Sequence, residues 1–403
     1  MKKFIIYGIL SLVMMAHAIL IFGQNESYLQ GIALLQQKSY DEAAVCFKKA
    51  LQEEGPSVRT LLSEGEALFN LGLFNDARSS FLQANEMEPG VSNIWLARCH
   101  ARQNQTTEAI RYLRTHLESD RKLPEKTILA DPSFRSIEKS REWRSLWGQD
   151  WYSPSDYQRV EAEYLMSKGH YSDALSILDI LIAKKDDDAY LYGLRGQAHA
   201  AKNDLKQGIR DLNQAIMLNH EMAEFYEVRA RIYLQSNQLV EAIQDLTEAM
   251  SIAPEKFYIW LERARTYEKM NELDRAKKDV DQYLEYFHTD VQVMLYASEL
   301  SMKSNRYFDA LSDLNKGLEI NPGKEDLYIK RGEVYLKTET YAYAEHDFTM
   351  ALDLNPFNGS TYFNRGQARL KLDKRQAACY DFNKAFQMGK KEALEYLQDH
   401  CDY

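Results

Sequence analysis

The chain has 403 residues, of which 45% are hydrophobic and 27% charged, proportions that exclude both a disordered and a membrane-embedded chain. Only 8 prolines and 18 glycines punctuate it, too few for a string of separately linked globules, so one elongated body is expected; the 26 tyrosines are the unusual count. A formal charge of −10, with no lysine- or arginine-rich block of five or more, speaks against nucleic acid as a partner and suits a neutral or basic polypeptide.

Lys2 and Lys3 precede an apolar run from Phe4 to Leu20 that holds no acidic residue, the layout of a secretory signal, assigned to residues 1–23. Cleavage after Ala18 would use the small pair Ala16 and Ala18 but leave Ile19 to Phe22 exposed. Cleavage after Gly23 leaves Gln24 first and is preferred; it takes the charge from −10 to −12. An uncleaved anchor is the alternative, since the run is about long enough to cross a bilayer. No cysteine follows it to carry a lipid, so the expected location is exported, either periplasmic or associated with the outer envelope.

Beyond this segment, small residues recur at steps of 34 through Ala174, Gly208, Ala242, Ala276, Ala310, Ala344 and Ala378, and Ala43 and Ala77 keep the step upstream. A second series, twelve residues earlier, runs through Ala162, Gly196, Ala230, Ala264, Ser298, Gly332 and Gly366, with Gly31 and Gly65 upstream. Each period reads as two amphipathic helices of about a dozen residues around a polar break such as Ser236-Asn237-Gln238. The small residues mark close helix approach, and stacking the hairpins buries the apolar face that each alone would expose.

Repeats are expected at 24–57, 58–91 and 92–118, then seven in phase over 155–392, with a capping helix over 390–403. The third is irregular: Trp95 is in place, but Ala109 arrives two residues early and Cys99 stands where a glycine would. Residues 119–154, which hold Asp131-Pro132-Ser133-Phe134, Trp143, Leu146, Trp147 and Trp151, read as a divergent helical linker and the expected bend or boundary.

The phased residues are similar to the tetratricopeptide-repeat (TPR) signature. Val58 to Gly90 supplies Gly65, Ala77, Phe81, Ala84 and Pro89; Ala223 to Lys256 supplies Tyr226, Ala230, Tyr233, Ala242, Ala249 and Pro254; Glu325 to Asn358 supplies Tyr328, Gly332, Tyr335, Ala344, Phe348, Ala351 and Pro356. The resemblance covers most of the chain. It implies an all-α fold, a TPR-type α-solenoid forming a right-handed superhelix of antiparallel helix hairpins, and a role in binding a protein or peptide.

The resemblance further implies that the second, fifth, ninth and twelfth positions of each first helix face a concave groove. Here they supply Leu261, Arg265, Leu295, Met302, Ile329, Leu336, Phe363, Gln367 and Leu370 as groove candidates, an apolar stripe rimmed by Arg265, Glu299, Glu333 and Gln367. Such a stripe would suit an extended or helical peptide with hydrophobic side chains, unless several of these residues pack on the next repeat instead. Some family members clamp acidic C-terminal tails with lysine and asparagine; Asn364 matches one place, but Ile329 and Glu333 occupy others, so that mode is disfavoured.

Arg195, Arg229, Arg263, Arg331 and Arg365 each precede the small position, and acids at Asp211, Asp245, Asp279, Asp313, Asp347 and Asp381 follow 16 residues after that arginine place. Read functionally, the arginines grip acidic ligands; read structurally, each bridges the two helices of its hairpin. Pairing within a repeat strands only Asp313, whose partner place is Ala297, and is preferred because unpaired buried charge is costly.

Cys379 lies ten residues before Gly389 and Cys401 twelve after it, so two antiparallel helices turning there would align them; a Cys379–Cys401 disulfide is expected, with Cys46 and Cys99 free in the core. No catalytic or phosphate-binding motif appears, the histidines are scattered, and no cofactor, metal or enzymatic role is expected. The functional expectation is an envelope adaptor that holds a partner segment in its groove. The alternative is a structural subunit of a secretion or cell-wall assembly, joined through its outer surface and the segment Trp143–Trp151.

Overall fold

The computed structural model describes residues 26–401, and the expected signal segment lies outside them. Among the described residues all regular structure is helical: ten antiparallel hairpins, short helices between the third and fourth, and a closing helix Ala393–His400. The first hairpin pairs Glu26–Gln36 with Tyr40–Glu54; the tenth pairs Gly359–Lys371 with Arg375–Gln387. None of the described helices is long and apolar enough to cross a membrane.

Two compact units divide between Lys256 and Phe257. The division falls between hairpins six and seven, inside the regular repeats, whereas residues 119–154 lie within the first unit.

The close approach within each hairpin has a size rule. A Cβ added at Gly332 would lie 2.6 Å from the ring of Phe348, and one at Gly31 would lie 2.6 Å from that of Phe47, each phenylalanine being 16 residues on. Where the small residue is Ala162 or Ala264, the residue 16 on is Leu178 or Val280, packed in the same cluster. The two helices therefore hold a fixed separation by trading volume across one contact.

The turn inside each hairpin is equally repetitive. One residue after every first helix has positive φ, from Lys38 (63°) and Gly72 (79°) through Asn203 (65°), Asn237 (57°), Asn271 (59°) and Asn305 (57°) to Glu339 (58°) and Asp373 (58°). The next amide then closes back across the helix end, as Thr340 N–H does to the Tyr335 carbonyl at 2.9 Å. Glycine and asparagine enter this left-handed region readily, and a glutamate does not.

Residues 119–154 form shorter elements than full helices: Glu125–Leu129, the 3-10 turn Pro132–Phe134 and Arg141–Leu146. Pro124 and Asp131-Pro132 start and stop them, and Ser140 caps the last by accepting from Trp143 N–H. Ile128, Phe134, Ile137, Trp143 and Leu146 share one core with Ile94, Ala97 and Leu113 of hairpin three, so the segment covers the face that a next repeat would have covered. Arg98 Nε meets Asp131 Oδ2 at 2.6 Å. Buried His116 accepts the Leu123 N–H at its Nε2, 3.0 Å away. Burial, helped by the charge of Arg98, pushes the His116 pKa down to about 4.

Within the first unit, hairpins one and two also reach the end of hairpin six. Gln36 donates to the Glu255 carbonyl and Arg59 to the Ile252 carbonyl, each at 3.3 Å, so a guanidinium sits at the carbonyl end of the helix Leu239–Ile252. Burial and the nearby Glu255 carboxylate push the Tyr28 hydroxyl up to about 12.

Glu339→Gly removes left-handed strain at an exposed site and should raise stability by about 1 kcal/mol in chemical denaturation; an unchanged or lowered midpoint would contradict the strain argument. For His116, folded and unfolded forms are both neutral above the ordinary pKa of about 6.5, so the group is then without effect. As pH falls from there to about 4, only the unfolded chain takes up the proton, and stability drops by up to roughly 3 kcal/mol. His116→Gln, which keeps an acceptor without a titrating ring, should make that fall shallower; an identical pH profile would remove His116 as its source.

Candidate functional site: the first-helix face and its charge ladder

The expected groove residues separate into two groups. Leu295 is buried with Leu314 and Leu327, and Met302 packs on that cluster. Phe363 is buried against Phe382 and Tyr396, with ring centroids 5.8 and 5.1 Å away, and Leu370 packs on the same core. Leu261 lies against the Ala264–Val280 cluster, and Leu336 against Ala344, Phe348 and Ala368. Ile329 is half-buried. Gln367 donates to the Tyr396 hydroxyl at 2.9 Å. Most of the apolar stripe therefore serves inter-helix packing, because residues pointing toward the next first helix are covered by it.

What the first helices of hairpins seven to nine leave accessible is a network of mixed charge. Arg265 is exposed. Glu268 accepts from Tyr296 Oη at 2.9 Å and pairs with Lys303. Burial works against the Glu268 carboxylate, but these two partners outweigh it and hold its pKa below the usual range. Lys330 bridges Glu299 at 3.2 Å and Glu333 at 3.4 Å. The rim residues Glu299 and Glu333 thus meet at Lys330, while exposed Arg265 acts through its charge on Glu268.

The arginine ladder is occupied from within. Arg229 Nε and Nη2 hold Asp245 at 2.8 and 2.7 Å, and Arg331 holds Asp347 at 2.7 and 2.8 Å. Arg195 with Asp211, Arg263 with Asp279 and Arg365 with Asp381 repeat the two-point contact. Hydrogen bonding to Asp211, with further help from Asp179, keeps the Arg195 pKa raised.

Four of these guanidinium groups also do something that spacing alone does not reveal. The third nitrogen of each reaches back 16 residues to the second helix of the preceding hairpin: Arg195 to Asp179 at 2.9 Å, Arg229 to Asn213 at 2.6 Å, Arg331 to Asn315 at 2.6 Å and Arg365 to Thr349 at 3.2 Å. A tyrosine one turn earlier covers the ion, as Tyr226 does for Arg229 at 5.6 Å and Tyr362 for Arg365 at 5.4 Å. One side chain thereby joins three helices across two repeats.

Asp313, expected to stand alone opposite Ala297, does not. Lys277 Nζ lies 3.3 Å from its Oδ2 and also pairs with Asp281. Asp281 and Asp313 lie 16 residues before and after Ala297, the two places an arginine there would have joined. Lysine delivered from the preceding second helix supplies the missing tie, and sequence spacing gave no sign of it.

Cys379 and Cys401 form a disulfide with Cα atoms 5.8 Å apart. Cys99 is free and buried; Cys46 is free but only half-buried, because it lies on the second helix of the first hairpin rather than in its core.

Two family models described as tetratricopeptide repeat match the chain, one at residues 233–298 and the other at 62–124, 159–216 and 195–256. No curated protein matches it. Among solved structures, the C-terminal part of a TPR repeat-containing protein from Cytophaga hutchinsonii aligns with 59% of this chain and 98% of its own, at TM-score 0.52 and 16% identity. A tetratricopeptide repeat protein from Parabacteroides merdae aligns with 60% and 97%, at TM-score 0.41 and 20% identity. At these identities the first likeness bears on fold alone.

The ladder geometry makes a paired prediction. Arg229→Ala strands the buried Asp245 and should cost roughly 3 kcal/mol in denaturant unfolding, and Lys277→Ala should do the same to Asp313. Adding Ala297→Arg to Lys277→Ala should restore part of the loss by rebuilding the ladder place. A further loss on adding the arginine would show that Lys277 is not its substitute.

Proposed function

This chain belongs to the tetratricopeptide-repeat family, whose models together match just over half of it, and on that premise we propose that it is an adaptor holding a segment of a partner polypeptide against its first-helix face. Such repeats form protein-interaction scaffolds, and the fold is typically non-catalytic. The observation that carries the reading is the accessible charge network of hairpins seven to nine. Arg265, Glu268, Tyr296, Lys303, Glu299, Lys330 and Glu333 supply both signs of charge in a row, able to pair with a polar segment that alternates in charge. Ligand reading by charge pattern replaces the hydrophobic stripe, whose key members Leu295 and Phe363 are committed to the core.

The Cys379–Cys401 disulfide supports an oxidising, exported location in the cell envelope. A second reading, as a fixed subunit of an envelope assembly, is favoured by apolar side chains on second helices that face solvent: Phe308 is 89% exposed and Tyr343 63%. The tryptophan segment does not serve it, since Trp143 is buried and Trp147 and Trp151 pack on the same internal cluster.

Affinity capture by the full chain from its own cell envelope, with Arg265→Glu/Lys330→Glu and Phe308→Ser/Tyr343→Ser run in parallel, separates the two. Under the adaptor reading the charge variant loses its partners while melting as the parent does, and the aromatic variant keeps them. The reverse pattern would replace the adaptor with the structural subunit.

A further inference from the structure

Each inner junction of the second unit is tied by a charged side chain. Lys277 and Asp313 link hairpins seven and eight, Arg331 and Asn315 link eight and nine, and Arg365 and Thr349 link nine and ten. The last junction, between hairpin ten and the closing helix, has no charged tie at the ladder place. The ladder place there is Asp399, and the position 16 residues back is Asn383, which accepts from Gln387; both are exposed. In their stead the disulfide runs from Cys379, on the second helix of hairpin ten, to Cys401, just beyond the closing helix.

That helix is short. It has 8 residues, fewer than an isolated helix needs for stability in water. It buries Ala393 and Leu397 and lays half-buried Tyr396 over Phe363 and Phe382, while Leu394, Glu395, Gln398 and Asp399 face solvent. Among the described residues, Gln367 donates to the Tyr396 hydroxyl and Arg375 to the His400 carbonyl. Both cysteines are half-buried, so part of each residue lies at the surface that a small thiol would approach.

We propose that the Cys379–Cys401 disulfide is a thiol-responsive latch on the closing helix, and that its reduction releases residues 393–400 and uncovers the apolar surface of Phe363 and Phe382. A dithiol supplies the two electrons and two protons: its thiolate attacks one sulfur, the mixed disulfide resolves by ring closure, and Cys379 and Cys401 are left as thiols. The tie is worth about a hundredfold in the docking equilibrium, the usual effect of a cross-link closing a loop of this size. This inference stands independently of the partner reading, since it concerns the end of the array alone.

Hydrogen exchange on the full chain tests it, comparing the oxidised protein with the same protein in dithiothreitol and with Cys379→Ser/Cys401→Ser. The expected result is roughly a hundredfold loss of amide protection confined to residues 393–400, in both the reduced and the serine forms, with Glu325–Lys337 and Tyr341–Leu354 unchanged. Unaltered protection of the closing helix after reduction would overturn the latch. So would loss of protection throughout hairpins seven to ten, which would make the bond a requirement of the whole unit. Should the serine form fail to fold, the reduced wild-type chain carries the comparison by itself.

Discussion

A helical hairpin buries its apolar face only against a neighbour, so the structure depends on what fixes one hairpin to the next, and at four junctions that is a guanidinium bonded to three helices. Arg331 spans Asn315, its own backbone helix and Asp347, with Tyr328 over the ion. The arrangement explains two features together: an arginine whose charge is satisfied inside the array, and a tyrosine recurring one turn before it. The cost of burying a charge is offset because each nitrogen of the fork has an acceptor in place. Where the arginine is missing, at Ala297, a lysine bridges the same two carboxylates. Where the array ends, a covalent bond stands in the same relation to the last helix.

Much of the fold was legible because the constraints are local and periodic. The 34-residue recurrence of small residues marks sites such as Gly332, which the Phe348 ring leaves no room to enlarge, and the pairing of Arg229 with Asp245 follows from counting which scheme strands fewest charges. The disulfide followed from helical rise on either side of Gly389, whose φ of 90° makes the turn. Other features left signals that periodicity alone does not interpret. Asparagine recurs at 203, 237, 271 and 305 because that place is left-handed, and phenylalanine follows four of the glycines because volume is traded across the contact.

The accessible surface was harder to read for a physical reason. Position within a first helix says which way a side chain points, not whether another helix stands in front of it. Leu295 and Phe363 point as expected and are nonetheless core, Phe363 being covered by a closing helix whose docking depends on Tyr396. The lysine that serves Asp313 comes from 36 residues upstream, out of phase with the ladder. The contact of Arg59 with the end of hairpin six spans 193 residues and has no local trace at all. A repeat family fixes how neighbours pack; which partner the remaining surface reads is set by the few charges left between them.

Whether the ladder holds repeats together or reads ligands is decided by a double-mutant cycle between Arg331 and Asn315, which belong to different hairpins. A structural tie gives a coupling of about 1 kcal/mol or more in unfolding free energy, with partner capture unchanged in the Asn315→Ala protein. Additive effects on stability, accompanied by loss of partner binding, would show that the guanidinium serves the ligand and not the junction.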